Sequence, residues 1–107
     1  MSESYVYAIT DGTAIKIGVA RHPHKRIKAL STGNALRLRL LGYFSGGFEL
    51  EKQIHSQFEK IRHNGEWLYA TPALIEYLNT MLVDVMIVSN NGQITALRKM
   101  PNLDNID

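Results

Sequence analysis

The run from Tyr5 to Gly18, YVYAITDGTAIKIG, constrains the fold more than any other stretch of this chain. Two alternating segments, Tyr5 to Thr10 and Thr13 to Val19, flank Asp11-Gly12, a dipeptide that accepts the positive φ angles of a two-residue type I′ turn. A hairpin closed there pairs Thr10 with Thr13, Ile9 with Ala14, Ala8 with Ile15 and Tyr7 with Lys16. Directly opposed side chains lie about 5 Å apart at Cβ. A phenol beside an ammonium favours the phenolate, which suits a general base. The spacing is equally that of an ordinary tyrosine next to a solvated lysine on an exposed face.

Beyond the hairpin, Pro23 opens a helix that runs to about Ser31 and is stopped by Thr32-Gly33-Asn34. Its apolar stripe is Ile27 and Leu30, with Arg26 at the stripe's edge. Leu36, Leu38 and Leu40 alternate with Arg37 and Arg39, as expected of a half-buried strand with arginines outward. Leu50, Ile54, Phe58 and Ile61 recur at helical spacing over Phe48 to Arg62, and Glu51 and His55 sit one turn apart beside that stripe. Glu66 to Tyr69 is a short extended piece. Thr71-Pro72 caps and starts another helix, with Leu74, Ile75, Leu78 and Leu82 inward. Val83 to Ser89 and Gln93 to Lys99 flank Asn90-Asn91-Gly92 as a second hairpin, and the polar tail PNLDNID follows. The expected class is α+β: a small antiparallel sheet flanked by helices in the order ββαβαα, with an appended C-terminal β-hairpin. Residues 1–80 form the expected functional domain, and 81–107 add hairpin and tail to the same compact unit.

At 107 residues the chain can bury a core without cross-links, and with no cysteine it has neither disulfides nor a thiolate metal site. Met81 to Val88, the longest apolar candidate, is too short to cross a bilayer and carries Asp84. MSESYVY lacks the basic and apolar regions of a signal peptide, so a soluble protein of the cytoplasm, in a bacterial or phage-infected cell, is the expectation. The net charge of +2 conceals an asymmetry. Through Gly46, seven basic residues face Glu3 and Asp11; from Gly47 on, five basic face eight acidic. A basic half suits a polyanion, because phosphate contacts supply most nonspecific affinity.

Taken in order, YVY, KIG, Pro23 with Arg26 and Leu30, Thr32-Gly33, Glu51-x-x-x-His55-x-x-Phe58 and Gly65-Glu66-Trp67 resemble the GIY-YIG nuclease superfamily. The likeness is greatest to its small branch in phage and some fungal meiotic proteins, with a KIG second motif and a GEW box, and covers about Tyr5 to Leu78. The resemblance implies a metal-dependent endonuclease that hydrolyses DNA phosphodiesters. By that likeness Tyr7 matches the last residue of GIY, Lys16 the first of YIG, Arg26 the helix arginine, and Glu51 the carboxylate that holds one Mg²⁺ or Mn²⁺. The implied roles are Tyr7 as general base assisted by Lys16, Arg26 bracing phosphate oxygens, and Glu51 carrying the metal. The YIG tyrosine is lysine here, the GIY glycine is Tyr5, the two motifs lie closer together, and the asparagine that follows the acidic helix has only Asn64 as a counterpart.

Tyr5, His55 and Glu66 are additional candidates: His55 as second ligand, phosphate contact or packed imidazole, and Glu66 as a partner of Arg26, Lys16 or His55. Arg21, Lys25, Lys28, Arg37 and Arg39 are candidates for a DNA track, or simply solvated. The C-terminal hairpin extends the sheet, pairs two copies or docks a protein. The alternative function is an inactive GIY-YIG-like module that binds nucleic acid or protein.

Overall fold

The computed structural model describes residues 3–32 and 37–99. The Gly33-Asn34 helix stop, Leu36 and the PNLDNID tail therefore lie outside the described residues. Strands β1 (Tyr5–Thr10) and β2 (Ala14–Ala20) lead into helix α1 (Pro23–Ser31), then β3 (Arg39–Ser45) and α2 (Phe48–Gln57). A 3-10 turn (Glu59–Ile61), β4 (Arg62–Asn64), β5 (Trp67–Tyr69), α3 (Pro72–Met81), β6 (Val85–Asn90) and β7 (Gln93–Arg98) follow. Five strands form an antiparallel sheet in the order β3-β1-β2-β5-β4, and β6-β7 is a separate ribbon, an α+β architecture as the sequence implies.

Opposed strand residues share a face. Val6, Ala8, Ile15, Ile17 and Leu68 form one face, which joins Ile54 and Phe58 of the acidic-helix segment and Leu74 and Leu78 of α3 in the core. The hairpin adds Ile87 and Ile94 to the same cluster. The opposite face carries Tyr5, Tyr7, Lys16, Gly18, Tyr43 and Trp67. Here α1 packs, its His24 meeting Tyr43 edge to face.

The first hairpin corrects the expected register. Thr10 pairs with Ile15 and Tyr7 with Gly18, while Lys16 opposes Ile9. Tyr7 and Lys16 keep the same face but are diagonal neighbours, for which Cα separations are about 7–8 Å. Local turn chemistry explains the shift. Asp11 Oδ1 accepts from the backbone N–H groups of Thr13 and Ala14, each at 2.9 Å, and buried Thr10 Oγ1 donates to the Ala14 carbonyl at 2.7 Å while accepting from Gly12 N–H. These bonds satisfy a wider loop in which only Gly12 takes a positive φ. The type I′ geometry falls instead at the second hairpin, where Asn90 pairs with Gln93 and both Asn91 and Gly92 have positive φ.

β3 departs in a second way. It starts at Arg39, and a bulge between the Ala8–Gly42 and Ile9–Leu40 pairs makes Leu41, rather than Leu40, the fully buried leucine. The acidic helix ends at Gln57, and the 3-10 turn carries Ile61 inward where an unbroken helix was expected.

Candidate functional site

β5 is short. It pairs with β2 only from Ala14 to Lys16, so the edge of β2 beyond Lys16 is left to other partners. Ile17 donates its N–H to the Glu66 carbonyl at 3.2 Å and accepts from His55 Nε2 at 2.9 Å. Glu66 is placed by the β4–β5 turn: Asn64 pairs with Trp67, and Gly65 supplies the positive φ that a two-residue connection needs. The sheet edge, α2 and this turn thereby gather three groups. One oxygen each from Glu51 and Glu66 and a ring nitrogen of His55 all lie within 4.8 Å of one another.

The electrostatics of the trio are unusual for a surface. Glu51 is only 8% exposed on the first turns of α2. Burial, and next the neighbouring Glu66 carboxylate, hold the Glu51 carboxyl above its ordinary value, with His55 and Lys16 pulling it down. Lys16 forms its ion pair with Glu66, Nζ to Oε1 at 2.7 Å, and leaves Glu51 without an ion pair among the described residues. Because the Ile17 carbonyl can only accept, His55 Nε2 carries the proton in that bond. His55 Nδ1 is then a lone pair, buried and without a hydrogen-bond partner. An imidazole that donates one nitrogen to a backbone carbonyl and keeps the other free, on a residue grouped with two carboxylates, is a donor set that a divalent cation site can use. The residues present fit a metal ion.

The remaining candidates are placed as follows. Tyr7 is 1% exposed and its ring lies across Gly18, where a Cβ would collide with the ring and hydroxyl. Lys16 lies two cross-strand pairs along, on the same face. Arg26, expected at the edge of a buried stripe, is exposed on α1 and forms no ion pair among the described residues. Tyr5 donates its hydroxyl to Glu3 Oε2 at 2.8 Å, and that hydrogen bond with the adjacent charge holds its phenol above the ordinary value. Arg21, Lys25, Lys28, Arg37 and Arg39 are all exposed, distributed over α1, its entry and the start of β3, which α1 contacts. The meeting of Tyr43 with His24 and Tyr5 was not legible in the sequence. The available signal was that Tyr43 sits on an alternating strand, but its pairing opposite Tyr7 needed the β1–β3 register.

Among the described residues no helix is long and apolar enough to cross a membrane. The family model described as the T5orf172 domain matches residues 4–82, a span that contains every strand of the main sheet and all three gathered groups. No curated protein and no solved structure matches the chain.

Proposed function

The chain belongs to the T5orf172 domain family, a nuclease-related family, and from that premise we propose that it is a GIY-YIG-type endonuclease hydrolysing DNA phosphodiester bonds. The observation that carries the reading is the trio itself. A buried carboxylate beside a second carboxylate and a histidine whose other ring nitrogen has no partner is an unfavourable arrangement that a divalent cation would relieve. Glu51 would hold Mg²⁺ or Mn²⁺, with His55 and Glu66 beside it. Such an ion, when bound, supplies Lewis acidity at the phosphoryl oxygens and steadies the leaving alkoxide.

The chain's own groups do the rest. Tyr7 is the base that takes the proton from the attacking water, whose oxygen forms the new bond to phosphorus as the bond to the leaving oxygen breaks. Lys16, held by Glu66 on the same sheet face, offsets the charge of the pentacovalent phosphorus, and Arg26 braces the non-bridging oxygens with its forked donors. One observation favours the second reading, an inactive DNA-binding module: Tyr7 is almost sealed from solvent, and a general base must meet its water.

The test is incubation of plasmid and single-stranded DNA with wild type in Mg²⁺ or Mn²⁺, beside Tyr7→Phe, Lys16→Ala, Arg26→Ala and Glu51→Gln. Cleavage by wild type is expected, with Tyr7→Phe slower by about 10²–10⁴-fold. Cleavage that persists undiminished in Glu51→Gln contradicts the enzyme reading; binding without cleavage supports the second.

A further inference from the structure

A cleft of about 340 Å³ opens on the sheet face that carries Tyr7 and Lys16, between β1, β3 and the entry to α1. Its apolar walls are Tyr5, Tyr43, Pro23 and His24, and Arg21 and Lys25 stand at its rim. The aromatic rings are arranged rather than scattered. Tyr5 meets Tyr43 at 5.3 Å between centroids and 75° between planes, and His24 meets the same Tyr43 at 5.8 Å and 86°. Tyr43 nevertheless keeps 41% of its surface exposed, although it stands directly opposite the buried Tyr7.

We propose that this cleft holds an unpaired nucleobase of a DNA strand, stacked on Tyr43, with Arg21 and Lys25 on the flanking phosphates. The inference deepens the nuclease reading and rests on it, since it names the form of the substrate. Five considerations lead there. The volume is at the lower end of the roughly 300–1,000 Å³ of ligand pockets, enough for one nucleotide unit and too little for a duplex. Aromatic side chains beside cations are how proteins hold single strands, because every base has a π-face and every link a charge. The first turn of α1 has no acidic side chain to repel a phosphate. Glu3 accepts from the Tyr5 hydroxyl, which fixes that ring in the cleft wall. Tyr5 and Tyr7 are two residues apart on one strand, about 7 Å, so the cleft lies next to the proposed base on the same face.

The test is fluorescence anisotropy in EDTA, where binding is read without cleavage. Two labelled probes of equal length are compared: oligodeoxythymidylate, and the same backbone with abasic spacers throughout. Wild type is expected to bind the thymidylate about 5- to 150-fold more tightly than the spacer chain. Tyr43→Leu should close that gap by weakening the thymidylate alone, and Tyr43→Trp should keep it. Arg21→Ala and Lys25→Ala should weaken both probes alike. Equal wild-type affinity for the two probes overturns the proposal, whatever the variants do. A gap that survives in folded Tyr43→Leu overturns it as well. Failure of the nuclease reading looks different: the gap stands, yet no metal supports cleavage.

Discussion

Gly18 is small because Tyr7 lies across it. A methyl group there would meet the Tyr7 ring and hydroxyl, which belong to a fully buried side chain with nowhere to retreat. Gly18→Ala should cost about 1–3 kcal/mol, the usual penalty of overpacking, and should displace the hydroxyl that the proposed reaction uses. Urea unfolding reads the first effect and DNA cleavage the second. A variant with the wild-type midpoint and activity would mean that the glycine does not position Tyr7. Asp11 sets a different kind of constraint. Burial opposes its ionisation, but hydrogen bonds from Ala14 and Thr13 outweigh burial and hold the carboxyl below its ordinary value. Its contribution to stability is therefore complete above the ordinary carboxylate range and is lost as pH falls through the lowered folded value. Wild type should be more stable than Asp11→Asn at neutral pH, with the gap closing in acid; a gap constant with pH contradicts the assignment.

Among the elements, the β6–β7 ribbon shows how an apparent appendage becomes part of the core. Asn79 on α3 accepts from Ile87 N–H at 2.7 Å and donates to the Ile87 carbonyl at 3.0 Å, and Ile94 N–H donates to the Gly12 carbonyl at 2.8 Å. These bonds seat Ile87 and Ile94 in the core. Asn79→Ala leaves both Ile87 groups unpartnered and should cost about 1–3 kcal/mol, read in thermal unfolding as a lower midpoint. A midpoint unchanged from wild type would mean that the ribbon is held by its apolar contacts alone. The elements whose signals are local were legible in the sequence: Thr71 accepts from Leu74 N–H as the expected cap of α3, and Glu51 and His55 share one helix face. What was not legible depended on competition or on distance. The β1–β2 register was set by Asp11 and Thr10 side chains that outbid the two-residue turn. The meeting of Glu66 with Glu51 required knowing that β5 pairs beside β2 and stops at Lys16.

At the scale of the whole molecule, the proposed metal site exists only when the chain is folded. Its three groups come from α2 and from the β4–β5 turn, and the backbone of β2 fixes the imidazole between them. The acidic later half of the chain supplies all three, and the basic first half supplies Lys16 and the exposed cations of α1 and β3. Charge asymmetry along the sequence thus becomes a junction in space, where a cation and a phosphate can be neighbours. A ligand that binds only the folded state stabilises it, by about 2.7 kcal/mol at a hundred times its dissociation constant.

Thermal unfolding across a titration of Mn²⁺ or Mg²⁺, at neutral pH and without DNA, reads that linkage directly. The midpoint of wild type should climb with metal concentration, and Glu51→Gln, folded and cooperative in metal-free buffer, should show no climb. A wild-type midpoint indifferent to both ions, or an equal climb in Glu51→Gln, would contradict a cation site built on Glu51.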